Sequence, residues 1–319
     1  MDKFLIIVIV LFSMVSCKKD TVLDVDVSNI KVDVSINRFE QKFFKATDSS
    51  LLNLKNEYPY LFPVQNPNSV WLNRINNKDE IALNKAAQLV FKTMDSEKKE
   101  IESLFKHIKY YQSNFNPPKI ITLITNLDYE NKVVYADSLL FVSLDMYLGK
   151  DNEFYKEFPS YISQNFDKSQ LVVDIAKEIG SNYFYPNKKR QFIDLLINEG
   201  KKMYLLDCFL PRFSDANKMG YLTEEIEWAK MNETEIWKYF IEKKLLYSSD
   251  PKLSSRFIEN APFSKFFIDI DKESPGRIGV WLGWQIVRSY MKNNNVTLQQ
   301  LLKTDGEEIF KKSKYKPKK

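Results

Sequence analysis

The spacing of hydrophobic and polar residues divides the chain into helical outer parts and a strand-like centre. Apolar residues recur with a helical period, and this predicts helices over residues 36–57, 78–94, 95–112, 166–182, 187–209, 223–230, 233–247, 252–259 and 276–292. Residues 118–128 are rich in Ile and Thr, and residues 133–149 are rich in Val, Leu and aromatics, so both stretches predict strands. The expected fold class is α+β, predominantly α-helical, with a small β-sheet directly before the helix over 166–182.

The N-terminus is typical of a bacterial lipoprotein. Residues 4–14 form an apolar run that is shorter than the ~20 residues of a membrane-spanning helix and fits a signal peptide. The run continues into Val15-Ser16-Cys17, which resembles a lipobox, the signal in which the cysteine is lipidated, for example with palmitate. An uncleaved membrane anchor is the alternative. Lys18 follows the cysteine where an Asp would favour retention in the inner membrane, so we expect a lipid anchor at the outer membrane, facing the periplasm.

Composition then sets the domain boundaries. No Gly- or Pro-rich linker and no internal repeat interrupts the chain after its polar N-terminal segment. We therefore predict a lipoprotein signal peptide over 1–16, a lipidated Cys17 with a tether over 17–33, a single globular α-rich domain over 34–305, and a Lys-rich C-terminal tail over 306–319. Once Cys17 is lipidated, Cys208 has no partner for an intrachain disulfide.

The charge does not indicate nucleic-acid binding. The net charge is +5, but the last nine residues, KKSKYKPKK, contain six lysines, and the rest of the chain is nearly neutral. The tail is expected to be solvated and disordered. A contact of the tail with phosphates or a membrane is the alternative.

Two carboxylates stand four residues apart in the helix over 166–182. On a helical wheel, Asp174 and Glu178 fall on a polar arc with Lys177, opposite the apolar residues. This arrangement predicts a solvated helix face, although the same i,i+4 spacing serves two histidines in metallopeptidases.

The next helix carries a carboxylate in a less ordinary position. Glu199 falls inside the apolar stripe of the helix over 187–209, next to Gly200. Because an unpaired buried carboxylate is costly, we expect Glu199 to meet an arginine, a metal or a backbone donor, or to hold a proton. A Glu that reaches solvent from the edge of the stripe is the alternative.

A glycine-rich helix supplies a candidate partner. The segment 274–291 contains Arg277 and three glycines spaced three and four apart, which are Gly276, Gly279 and Gly283. Small residues on one helix face allow another helix to approach closely. We therefore predict that this face packs on the helix over 187–209 near Gly200, with Arg277 neutralising Glu199.

Two tryptophans lie in the same segment. Trp281 and Trp284 fall on neighbouring helix faces, and we expect both to pack in the core. A sugar-binding aromatic platform is the alternative.

Several motifs together resemble one known family. The order of the lipobox, "VVDIAKEI", "INEGKKMYLLDCFLP" and "SPGRIGVWLGWQIV" is similar to that of the GldB gliding-motility lipoproteins, over nearly the whole chain. That family resembles zincin-like peptidases. The resemblance implies that Asp174 and Glu178 stand at the two metal-binding histidine positions, Ile175 at the catalytic Glu, and Glu199 at the third ligand.

The chain departs from a working peptidase at these positions. Its only histidine is His107, far upstream and expected at the surface or half-buried, so a His₂Glu zinc site is impossible. The resemblance therefore implies a pseudo-peptidase with no catalytic residue, no metal and no cofactor.

The expected function is that of a non-enzymatic envelope lipoprotein required for gliding motility and the associated protein secretion machinery. Its expected partners are other gliding and secretion proteins and, through the lipid, the membrane; no nucleic acid and no small-molecule substrate are expected. A carboxylate-metal hydrolase and a glycan- or peptide-binding module are the alternatives.

Overall fold

The computed structural model describes residues 23, 25–186, 189–268 and 271–317. In these ranges the α-helices are α1 (Phe39–Phe43), α2 (Asp48–Glu57), α3 (Asn68–Ile75), α4 (Lys78–Val90), α5 (Asp95–Tyr111), α6 (Ser160–Ser163), α7 (Leu171–Ser181), α8 (Phe192–Phe209), α9 (Asp215–Met219), α10 (Thr223–Met231), α11 (Glu233–Glu242), α12 (Lys252–Phe257), α13 (Ile278–Asn293), α14 (Leu298–Lys303) and α15 (Gly306–Ser313). The strands are β1 (Ile36–Asn37), β2 (Lys119–Leu123), β3 (Val133–Ala136) and β4 (Leu139–Ser143). The predicted fold class, α+β and predominantly helical, is confirmed.

The small sheet precedes α7 and has the strand order β1-β2-β4-β3. Strands β1, β2 and β4 run parallel, and β3 is antiparallel to β4, with Val134 opposite Phe141. The predicted strand over 133–149 is therefore wrong in extent, because the chain turns back at Asp137, whose φ is 53°. Asp tolerates this left-handed conformation better than most residues do.

The helical predictions fail in the first hundred residues and again at short helices further along the chain, where α6, α9 and α14 were not predicted. The predicted helix over 36–57 is a short strand followed by two helices, and Thr47 caps the second of them through a capping box with Ser50. Helix α3 was not predicted; it begins directly after Pro67. Short elements such as β1 and α1 offer too few residues for a period to appear.

Helix α8 lies at the centre of the molecule. Most of its residues are buried, and it packs against α5, α7, α13 and α15. A second, smaller core of mostly aromatic residues lies between α1–α3 and Ile121 of β2.

The prediction of a Lys-rich tail over 306–319, with its last nine residues disordered, needs correction. Residues 306–313 form α15, which packs on α8 and α13 with Ile309 fully buried. Tyr315 then donates a hydrogen bond to Glu233 at 2.8 Å and contacts the ring of Trp237 edge-on. This segment is an amphipathic helix: its lysines occupy the solvent side, and its apolar residues face the core.

Candidate functional site

The candidate site lies on α7, where Asp174 takes part in a network of hydrogen bonds and ion pairs. Asp174 accepts hydrogen bonds from Lys132 and from the Tyr147 hydroxyl, the latter at 3.1 Å, and it forms an ion pair with Lys177 at 3.5 Å. Burial raises the pKa of Asp174, but the charges of Lys132 and Lys177 outweigh this effect and hold the pKa below its usual value.

The carboxylate of Glu178 forms a hydrogen bond with the edge strand of the sheet. It accepts the backbone N–H of Tyr135 at 3.1 Å, and Tyr135 belongs to β3, the last strand of the sheet order. The carboxylate thus satisfies a strand donor for which the sheet provides no neighbouring strand.

The prediction that this face of α7 is solvated is therefore wrong for Asp174, whereas Glu178 is half-buried and bonded to β3. The side chain of Asp174 is only 13% exposed, because α7 packs against β3. The helical wheel separated the polar from the apolar residues correctly. The two carboxylates on the polar arc, however, bond to Lys132, Tyr147 and the backbone of β3.

The predicted pair between Glu199 and Arg277 is not formed in the structure. Glu199 pairs with Lys202 on its own helix at 2.7 Å, and its side chain remains 23% exposed. Arg277 instead donates a hydrogen bond from Nη1 to the carbonyl of Met219 at 2.9 Å. Glu199 reaches solvent from the edge of the apolar stripe. There it pairs with an i,i+3 lysine, and this pair avoids the desolvation that a buried pair with arginine would require.

Glycines mark the closest approach of α8 and α13. A Cβ on Gly283 would lie 1.9 Å from the carbonyl oxygen of Leu196, and a Cβ on Gly200 would lie 2.3 Å from the carbonyl oxygen of Gly283. Real Cβ atoms do not approach backbone atoms so closely, so both positions require glycine.

The other two glycines of this segment contact different parts of the chain. A Cβ on Gly279 would lie 2.8 Å from the carbonyl oxygen of Phe257. Gly276 precedes α13, and a Cβ there would lie 2.1 Å from the carbonyl oxygen of Ala261. The segment therefore packs on α8 at one end and on the α12 region at the other.

A cluster of buried charges, which sequence reasoning missed, lies beside this crossing. Asp207 of α8 is 1% exposed and accepts hydrogen bonds from Lys218 at 2.9 Å, from two nitrogens of Arg288 at 2.7 Å each, and from Trp284 Nε1 at 2.8 Å. Arg288 also binds Asp215 through two bonds. Burial alone would lower the pKa of Arg288, but these bonds raise it.

A sequence signal for this cluster existed. On the wheel that placed Glu199 in the apolar stripe of α8, Asp207 falls in the same stripe, within the segment "DCFLP". A buried carboxylate there requires a cation, and Lys218 and Arg288 supply two.

The remaining candidate residues are placed as follows. His107 is buried, which corrects the expectation of a surface or half-buried residue, and its Nδ1 lies 2.8 Å from the carbonyl oxygen of Ser103. Cys208 is a buried free thiol whose pKa is raised by burial. Trp281 and Trp284 are buried in the core, as predicted. Cys17 lies outside the described residues.

The described residues contain neither a metal-binding cluster nor a membrane-spanning helix. In that part of the chain, no three His, Cys, Asp or Glu side chains lie in an arrangement that could hold a metal ion; Asp174, Glu178 and Glu199 are therefore not gathered into a metal site. The helices within the same ranges include none with the length and apolar content needed to cross a membrane.

The fold and these contacts define a predominantly helical α+β protein in which Asp174 and Asp207 pair with cations of the same chain. Comparison with models of protein families matches residues 20–317 to the family described as gliding motility protein GldB. The match covers most of the chain, so the chain belongs to this family, and the resemblance seen in the sequence is confirmed.

Membership in this lipoprotein family associates the chain with gliding motility and with the cell envelope. Neither the search of curated proteins nor the search of solved structures gave a match.

Proposed function

We propose that the chain acts as a non-catalytic, lipid-anchored component of the envelope machinery for gliding, where it holds other gliding and secretion proteins. The proposed anchor is lipidated Cys17 in the outer membrane, with the α-rich domain facing the periplasm. Family membership supports the gliding role; the non-catalytic role rests on the residues of the former peptidase site.

One observation carries this proposal. The carboxylates at the positions that the peptidase resemblance assigns to metal ligands are each bonded within the chain: Asp174 to Lys132, Glu178 to the backbone of β3, and Glu199 to Lys202. These bonds connect α7 to the hairpin of β3 and β4, so the first two carboxylates serve folding. A scaffold connected in this way is suited to presenting a surface to partners.

The test is complementation of a clean gene deletion in the source bacterium. We expect the deletion strain to stop gliding and the wild-type gene to restore it. Glu199→Gln should restore gliding fully, because an exposed i,i+3 pair contributes only about 0.2–0.5 kcal/mol. Glu102→Gln, which removes a similar surface pair with Lys106, is the matched control.

Two outcomes would contradict the proposal. If Glu199→Gln abolishes gliding at an unchanged protein level while Glu102→Gln does not, Glu199 has a role in chemistry or in recognition. A stoichiometric metal ion in the purified protein would revive the hydrolase interpretation.

Cys17→Ala tests the anchor separately and should release the protein from the membrane fraction. Crosslinking in cell envelopes followed by pull-down would identify the partners.

A further inference from the structure

A cavity of about 440 Å³ lies away from α7 and α8, between the N-terminal helices and the sheet. Its size is within the range of about 300–1,000 Å³ that small-ligand sites occupy. Aromatic rings form much of its wall, contributed by Phe39, Phe43, Phe44, Phe62 and Trp71.

The cavity lies at the carboxyl ends of parallel strands. Helix α1, with Phe39 and Glu40, begins directly after β1, and residues 124–126 follow β2. Loops at this edge of a parallel sheet commonly form ligand sites, because they converge there from neighbouring strands.

The acidic groups of the cavity are already occupied. Glu40 accepts hydrogen bonds from Arg38 at 2.6 Å and Thr122 at 2.5 Å. Glu80 accepts two bonds from Arg74 Nε, at 3.0 and 3.2 Å, and one from Nη2 at 2.8 Å. The charges of these carboxylates are therefore balanced, and the cavity has no reason to attract a cation.

Hydrogen-bond donors, in contrast, remain available. Trp71 is 7% exposed, and its Nε1 is buried without a partner. Arg74, which is partly exposed, uses Nε and Nη2 for its bonds to Glu80, and this leaves Nη1 for another acceptor. Both residues line the cavity. Unmet buried donors are rare in native proteins and call for an explanation.

The backbone at the rim is also held in an uncommon conformation. Asn126 and Leu127 have φ values of 59° and 63°, which is costly for Leu. The buried carboxylate of Asp145 fixes this turn by accepting the backbone N–H groups of Thr125 and Leu127 at 3.1 and 2.8 Å. Conformational strain of this kind concentrates at binding sites.

We propose that this cavity binds an aromatic ring that carries a carbonyl or carboxylate oxygen. The aromatic walls receive the ring, while Trp71 and Arg74 donate to the oxygen. The ring belongs either to a free small molecule or to an aromatic residue of a polypeptide, since both have this chemistry.

The experiment measures ¹⁹F line broadening with the full chain in lipid nanodiscs. The probes are N-acetyl-para-fluorophenylalanine, its amide, and a pentapeptide with para-fluorophenylalanine between two glycines on each side. Saturable binding of the first two alone identifies a free small molecule as the ligand class, and tighter binding of the pentapeptide identifies a polypeptide. Absence of saturable binding for every probe up to about 10 mM overturns the proposal.

Variants separate this site from non-specific binding. Trp71→Phe keeps an aromatic wall and removes the unmet indole N–H, so it should weaken binding about five- to tenfold. The control Trp228→Phe on α10 should leave binding unchanged. Binding that is unchanged in Trp71→Phe overturns the assignment of the site.

Discussion

Substitution of Gly283 by alanine should strongly destabilise the protein, although alanine is the better helix former. The added Cβ would lie 1.9 Å from the carbonyl oxygen and 2.6 Å from the carbonyl carbon of Leu196. These are backbone atoms of the buried helix α8, so no side chain can rotate to make room. Helices α8 and α13 must therefore separate by at least about 1 Å.

The magnitude follows from two opposing effects. Alanine stabilises a helix interior by about 1 kcal/mol relative to glycine. Separation by about 1 Å costs each packed atom pair up to roughly 0.1 kcal/mol, and a helix crossing contains several tens of such pairs. We therefore expect Gly283→Ala to lower the free energy of unfolding by about 2–4 kcal/mol, which is at the upper end of typical overpacking effects.

Urea unfolding followed by tryptophan fluorescence measures this change, because Trp281 and Trp284 are buried on α13 itself. Gly180→Ala is the matched control. A Cβ at Gly180 of α7 would meet only two side-chain atoms, at 3.8 and 4.0 Å, so this variant should be as stable as the wild type or more stable by up to about 1 kcal/mol. If Gly283→Ala is as stable as Gly180→Ala, the described helix crossing is incorrect.

Two further predictions concern buried charges. Asp207→Asn should lower the free energy of unfolding by about 3–5 kcal/mol because it leaves the buried ammonium group of Lys218 without its anion; Asp215→Asn, at a partly exposed pair, should cost much less, and equal losses in urea unfolding would refute this reasoning. Burial lowers the pKa of Lys201 from 10.5 to about 8, so the folded state binds fewer protons than the unfolded state between these values, and stability should rise with pH across that window by up to about 3 kcal/mol. Lys201→Met should lack this rise when unfolding is compared at pH values below and above the window, and a rise that persists in the variant would show that other groups cause it.

The sequence carried enough information for the fold class and the family. Long periodic segments gave α5, α7, α8 and α13, because a helix with one buried face repeats its apolar residues many times. Short elements such as β1, α3 and α9 were missed because they are stabilised by the rest of the protein and too short to show a period. The lysine-rich end was misjudged because composition outweighed the period of α15.

At the candidate site, too, some features follow from the sequence and others only from the tertiary structure. The sequence alone determined that no histidine pair exists, that Asp174 and Glu178 lie on one helix face, and that Gly200 and Gly283 are suited to close helix packing. The tertiary structure decided which groups neutralise the buried carboxylates. Lys132 lies 42 residues from Asp174, and Arg288 lies 81 residues from Asp207. A helical period reports which face of a helix is buried, but the partner on the other side comes from a remote element that only folding brings into contact.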